Sequence, residues 1–320
     1  MTFPSKAIIA GFSCALVLTG CGGGSSNGGG TTSQFGDLNL SVTDAPVDGA
    51  SVVNVQFDSI TVKHKNNDPE SLDSLEVTNI NLLDYTGGTS RILLQTEGNT
   101  SLKLRAGEYN WIRFDVSASI DSTLDSYITI DGSQYELEVP SSTGLKLNTG
   151  FTIPVDGVAN FTVDFDLRHS IIGPFTKGAD SYYKLKPVLR LVDNTTVGTL
   201  SGAVASGLIS SCDGVNDMPA VYLFEGSLTG EQLDDMDIDV DGVDADDSVE
   251  PLATVSVPTD GGGDYNYTIG FVNEGSYTVA FTCDEDDPAS DDDATLSFSL
   301  DETLSIIAEQ TTIKNFSLAL

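Results

Sequence analysis

The clearest pattern in the chain is "FTVDFDLRH", residues 161–169. Phe161, Val163, Phe165 and Leu167 fall on one side of a two-residue period. Thr162, Asp164, Asp166 and Arg168 fall on the other. That period belongs to a strand with one buried and one wet face. It predicts that His169 continues the inward face, and that Arg168 offsets Asp166 along the wet one. "LNLSV", "VVNVQF", "YITI" and "YELEV" are similar short runs. Turn formers separate them: "DAPVDG", "TGG", "RAGEY", "DGS" and "VDG". "NINLLDYTGGTSRILLQ" is less regular and accommodates a helical turn.

The pattern continues to the end. "AVYLFEG" reads as a buried strand. "YNYTIGF" puts Tyr265, Tyr267, Ile269 and Phe271 on one face. "EGSYTVAFTC" is a turn followed by a strand with Tyr277, Val279 and Phe281 inward, and "TIKNFSLAL" closes the chain as a last strand. Aromatic stripes of period two are core before they are ligand platforms. Regularly spaced short strands without long helices predict an all-β chain of two β-sandwich domains.

The start breaks the pattern. One basic side chain, Lys6, precedes a twelve-residue apolar run, "AIIAGFSCALVL", and then "LTGC". A bilayer span needs about 20 apolar residues, so this is a secretory signal and not an anchor helix. "LTGC" resembles the lipobox of bacterial lipoproteins. That resemblance implies cleavage before Cys21 and lipid on its sulfur and nitrogen, a stable anchor because more than one acyl chain is involved. In such lipoproteins an Asp after the cysteine favours the inner membrane. Gly22 therefore points to the outer membrane, with the folded part facing periplasm or surface. "GGGSSNGGGTTSQ" has nothing to bury and reads as a flexible tether reaching roughly 20 Å. The expected organisation is signal 1–20, lipidated cysteine and linker 21–36, and domains at 37–195 and 198–320.

Charge separates the two halves. Residues 1–197 hold 22 acidic and 13 basic side chains; residues 198–320 hold 26 acidic ones and Lys314. The whole chain has a net charge of -34. Such a surface repels phosphate backbones, so nucleic acid is not a partner. Expected partners are the membrane, through Cys21, and an envelope or extracellular ligand.

Of the four cysteines, Cys14 leaves with the signal and Cys21 takes lipid. Cys212 and Cys283 remain, an even pair in an oxidising compartment, and a disulfide is expected between them. Two buried free thiols or a metal pair are the alternatives, and two sulfurs without a nearby histidine make a poor zinc site.

Catalytic chemistry finds little purchase. Only His64 and His169 could serve as imidazole bases, and His64 reads as surface solvation at a strand end. No G-x-S-x-G, H-E-x-x-H or P-loop occurs. Asp164 and Asp166 have a spacing that suits a glycosidase, but it suits any strand equally. No catalytic residue is assigned.

Two acidic runs stand out: eight acids in the fourteen residues 234–247, and seven in the eleven residues 283–293. Asp237, Asp239, Asp241 and Gly242 match the opening of an EF-hand loop. Its twelfth position, however, is Ser248 instead of Glu, and its eighth is Asp244 instead of an apolar residue. A solvated acidic face is the preferred reading. No cofactor is expected, with calcium at Asp237, Asp239 and Asp241 as the exception to test.

Seven phrases in order from Leu38 to Asp193 carry a family resemblance: "LNLSVTDAPVDGA", "VQFDSITV", "INLLDY", "LRAGEYNWIRFDV", "LEVPSSTGLKL", "TVDFDLRHSI" and "YYKLKPVLRLVD". They resemble DUF4382, a domain of unknown function common in bacterial lipoproteins. The resemblance implies an extracytoplasmic β-rich domain and brings no catalytic residues. The second half is similar, more loosely, to transthyretin-like sandwiches attached to carboxypeptidases and surface proteins. It carries that likeness in "GTLSGAV", "YNYTIGFVNEGSYTVAFTC" and "TIKNFSLAL". A non-enzymatic cell-envelope binding or structural module is the expected function. A hydrolase of envelope polymers is the alternative, and calcium-dependent adhesion is a third reading.

Overall fold

The computed structural model describes residues 34–44, 50–140, 144–186, 188–212, 218–235, 248–257, 265–284, 286 and 296–317, and not the side chains of residues 168, 169 and 300. The first half contributes fifteen strands: β1 (Phe35–Asp44), β2 (Ala50–His64), β3 (Glu70–Leu72), β4 (Asn79–Asn81), β5 (Arg91–Gln95), β6 (Leu104–Arg105), β7 (Gly107–Ser117), β8 (Tyr127–Ile130), β9 (Ser133–Glu138), β10 (Leu145–Leu147), β11 (Phe151–Ile153), β12 (Val158–Phe165), β13 (Ile171–Lys177), β14 (Asp180–Leu185) and β15 (Leu189–Asp193). The second half adds β16 (Val197–Val204), β17 (Ala220–Glu225), β18 (Ala253–Ser256), β19 (Tyr265–Asn273), β20 (Gly275–Thr282), β21 (Ser299–Ile306) and β22 (Thr311–Ile313). A 3-10 turn at Leu82–Tyr85 fills the irregular stretch after β4.

Each half is a sandwich of its own two sheets. In the first, β15-β12-β1-β5 with β6 faces a sheet ordered β10-β7-β2-β8-β9-β14-β13, joined by β3, β4 and β11. In the second, β19-β16-β22 faces β18-β17-β20-β21. The described residues are therefore nearly all β. The two halves pack as one compact unit, Ser33–Leu320.

Strand β2 shows how the sequence earns its place. Val53, Val55 and Phe57 are fully buried, and so are Ile60 and Val62. The first three are odd-numbered and the last two even. A single unbroken strand would turn one set outward. The pairing with β7 shifts between Phe57 and Ser59, and this bulge moves the inward phase by one residue. Phe57 then meets Phe114 edge-on at 6.0 Å and Phe165 at 6.2 Å, tying both sheets to one core.

Strand β12 departs from the expected simple alternation. Val163 and Phe165 are inward as expected, but Thr162 on the other face is also fully buried. Its hydroxyl donates to Asn194 Oδ1 at 2.9 Å. The face expected to be wet is therefore closed at Thr162. The strand also ends at Phe165. Leu167–Ser170 is one helical turn, so His169 does not continue the strand's inward face.

The same corner is built twice. In "RAGEY" the Tyr109 hydroxyl donates to the Arg105 carbonyl at 2.8 Å. In "NEGSY" the Tyr277 hydroxyl donates to the Asn273 carbonyl at 2.9 Å. Each tyrosine sits at the start of a strand and bonds back four residues, the tyrosine-corner device of β-sandwiches. In both corners a glycine stands two residues before the tyrosine. Burial pushes the Tyr109 hydroxyl up to about 12, helped by the Glu70 charge and opposed by Arg105.

In the second half β20 is buried on both faces. Tyr277, Val279 and Phe281 face the β19-β16-β22 sheet. Ala280 turns the other way, to a smaller core with Tyr222, Phe224 and Leu233, against which Leu228, Leu296 and Phe298 pack. The last strand is shorter than its pattern: β22 covers only Thr311–Ile313, followed by a single bridge from Phe316 to Val204. Cys212 and Cys283 are joined by a disulfide with Cα atoms 5.3 Å apart.

Candidate functional site

A cleft of about 440 Å³ lies where the two halves meet. From the first half come Thr43, Asp44, the turn Thr86–Gly88, Asp164, Asp166 and residues 188–190. From the second come Leu252, residues 253–256 of β18 and 266–271 of β19.

Register explains the polar row at its floor. Thr43 on β1 lies opposite Asp164 on β12, and Asp164 lies opposite Arg190 on β15. Three side chains that are far apart in sequence therefore stand side by side on one sheet face. Arg190 donates to Asp164 Oδ2 through Nε at 3.2 Å and also through Nη2. The side chain of Arg168, the expected partner of Asp166, lies outside the described ones. The Asp164–Arg190 bond joins adjacent strands, which are about 4.8 Å apart, while same-face neighbours along one strand are about 7 Å apart. Burial pushes the Asp164 carboxyl above the ordinary carboxylate value, opposed by Arg190 and aided by Asp166. Burial is the largest influence, since the Asp164 side chain is only 19% exposed. Asp44 is buried as well, and both Asp44 and Asp166 have interactions of their own.

The rim has a different character. Val188 is 45% exposed and Leu252 37%. Phe271, which also lines the cleft, has φ 55. The expected inward stripe of β19 stops before it. Tyr267 and Ile269 are in the core, but the β16–β19 register shifts next, and Val272 takes the following core position. Phe271 sits in the resulting bulge and faces the cleft instead of the core. A bulky residue in the left-handed region is an outlier costing about 1–3 kcal/mol, held only where the surroundings fix it. Beside it, Gly270 meets Gly88 of the other half so closely that a Cβ on Gly270 would lie 2.2 Å from Gly88 Cα. On the same strand Asn266 is exposed, and Thr268 Oγ1 lies 3.3 Å from Ser201 Oγ.

A second, smaller hollow is lined by His64, Asn67, Asp68, Glu70, Arg105 and Tyr109, among others. His64 is not the solvated surface residue expected. It is half-buried, edge-on to Tyr109 at 5.1 Å. Its Nδ1 accepts the Asn66 N–H at 3.1 Å, which leaves the proton on Nε2, 3.4 Å from the Ala106 carbonyl.

The expected lipidation residue Cys21 and the expected calcium ligands Asp237, Asp239 and Asp241 lie outside the described residues. Among the described residues no group of three His, Cys, Asp or Glu could hold a metal ion, and no helix is long and apolar enough to cross a membrane. Sequence reasoning named Asp164 and Asp166 but missed Asp44, Arg190, Asn266 and the outward turn of Phe271. The only local cue for Arg190 is its alternation within "VLRLVD", which says nothing about the strand it will pair with.

No curated protein matches the sequence. Among solved structures, a leucine-rich repeat protein from Bacteroides thetaiotaomicron is 11% identical, with 89% of this chain and 26% of that chain covered, at a TM-score of 0.20. The Bacillus anthracis TIE protein is 9% identical over 88% of this chain and 33% of that chain, at 0.18. The minor pilin GBS52 of Streptococcus agalactiae is 9% identical over 87% and 94%, at 0.19. This chain thus spans about a quarter of the first and a third of the second. At such scores the likenesses carry no argument about function. The family match is of another kind: it covers residues 35–187, nearly the stretch in which the seven phrases occur in order. Residues 35–187 therefore match the family described as "Domain of unknown function (DUF4382)".

Proposed function

We propose that this protein is a non-enzymatic binding module of the bacterial cell envelope, anchored by lipid on Cys21 to the outer membrane, and that it takes its ligand in the cleft between its halves. The observation carrying this reading is the cleft itself. It has a polar row fixed by sheet register, an apolar rim and a volume within the range of small-ligand sites, at a junction where such sites concentrate. The Cys212–Cys283 bridge suits an oxidising compartment.

A hydrolase is the second reading, and one observation favours it. Asp164, pushed above the ordinary carboxylate value, shares the cleft with Asp44 and Asp166. A carboxyl in that state can serve as a general acid. Against this, two donors of Arg190 hold one oxygen of Asp164, which suits a fixed carboxylate better than a proton shuttle.

The test uses the full-length protein and a variant, Asn266→Trp, that fills the cleft mouth. Thermal shifts are measured with a panel of small saccharides, amines and peptides. A shift seen in the wild type and lost in Asn266→Trp supports a cleft ligand. A shift that survives the substitution places binding elsewhere. Turnover of a bound saccharide would establish the hydrolase reading instead. Loss of the protein from the membrane fraction on Cys21→Ala tests the anchor.

A further inference from the structure

We infer that the cleft is built for a neutral saccharide, one ring of which lies against Phe271 while its hydroxyls meet the Asp164–Arg190 pair. This rests on the reading of the cleft as the ligand site.

The first argument is charge. Arg190 opposes a strongly basic ligand in the cleft, and Asp44, Asp164 and Asp166 oppose a strongly acidic one. Asp164 is paired with Arg190, and Asp44 and Asp166 each have an interaction of their own. What the Asp164–Arg190 pair offers is polarised hydrogen-bonding capacity with the charges of the pair compensated. Guanidinium carries five N–H donors, and Nε and one N–H of Nη2 are turned to Asp164 Oδ2. The remaining donors, and Asp164 Oδ1, have no protein partner among the described residues. A donor group and an acceptor group side by side match the vicinal hydroxyls of a sugar, each of which both donates and accepts. Hydrogen bonds to ionised groups are the strong ones. Asn266, Ser256 and Thr268 add neutral amide and hydroxyl groups on the facing wall.

The second argument is Phe271. The ring is kept at the cleft by a backbone conformation that phenylalanine rarely adopts, where glycine would be unstrained. Its neighbour Gly270 is required by the contact with Gly88, but nothing in the core requires an aromatic ring at 271, because Val272 fills the core position. Strain retained at a cleft points to a ligand contact. With Val188 and Leu252 the ring forms an apolar rim above a polar floor. A pyranose has the same division, with C–H groups on its faces and hydroxyls around its edge.

The experiment is calorimetric titration of the full-length protein and two variants. The neutral probes are glucose and N-acetylglucosamine oligomers; the charged ones are glucuronate oligomers and spermidine. The first variant is Phe271→Gly, which relieves the strained φ and so keeps or raises the melting temperature while removing the ring. The second is Asn266→Ala at an exposed position. The expected result is binding of a neutral probe, weakened about tenfold or more in Phe271→Gly and measurably in Asn266→Ala. Binding of charged probes alone, lost in Phe271→Gly, would overturn the inference of a neutral saccharide while leaving the cleft as the site. Neutral-probe binding unchanged in both variants would overturn the cleft itself. Binding of no probe would overturn the saccharide inference.

Discussion

Arg190→Met removes the guanidinium and keeps most of the aliphatic stem. It leaves Asp164, with a side chain 19% exposed, facing the cleft without its cation. Breaking a fully buried ion pair by deleting one partner costs about 3–5 kcal/mol. An exposed pair contributes about 0–1 kcal/mol. Arg190 is 33% exposed, so the site lies between these limits, and a loss of about 2 kcal/mol is expected. Urea unfolding followed by fluorescence of Trp111, the only tryptophan, measures it. The pH dependence adds a sign. Burial already raises the folded-state pKa of Asp164, and removing Arg190 raises it further. An acid whose folded pKa is raised contributes stability that is fully present below its unfolded value and is lost as pH rises through the folded value. The variant's deficit is therefore small near pH 4, about the ordinary value for Asp, and largest at neutral pH. The double variant Asp164→Asn with Arg190→Met removes the unpaired charge and recovers most of the loss. A deficit that is constant between pH 4 and 7, or larger in acid, would refute the reasoning, as would a loss under about 0.5 kcal/mol.

Replacing Cys212 and Cys283 by serine opens a cross-link spanning 71 residues. The chain-entropy model puts the loss at about 4 kcal/mol, checked by urea midpoints with and without reductant. Tyr109→Phe and Tyr277→Phe each delete one corner hydrogen bond and leave a carbonyl without its donor, so each costs about 1–2 kcal/mol in the same assay. Their effects add, because each corner belongs to the core of a different half. Gly202→Ala would place a Cβ 1.6 Å from the Lys314 carbonyl oxygen, against backbone that cannot rotate away. It costs about 3 kcal/mol, the upper end for overpacking, and hydrogen exchange speeds up first in β22, which pairs there.

Hydrophobic period two was enough to read strands, because a strand that buries one face alternates locally. It placed Phe161, Val163 and Phe165, and Tyr277, Val279 and Phe281, on the faces they occupy. The order of the seven phrases was enough to recognise the family of the first half. Where the local rule failed, a non-local contact had intervened. Thr162 looks wet in sequence, but it is buried and bonded to Asn194, far along the chain. Phe271 looks like core, but the bulge in β19 turns it out.

The cleft was out of reach for the same reason. Thr43, Asp164 and Arg190 meet only through the parallel register of β1 with β12 and the antiparallel register of β12 with β15. Alternation says which face a residue takes; it does not say which strand will be its neighbour or in what register. Those are set by how the strands close over one core, a sum over many weak contacts between distant segments. The sequence by itself determined the strands, their inward faces and the family of the first half. Tertiary structure decided which polar side chains share a wall, because pairing between distant strands is a property of the packed whole.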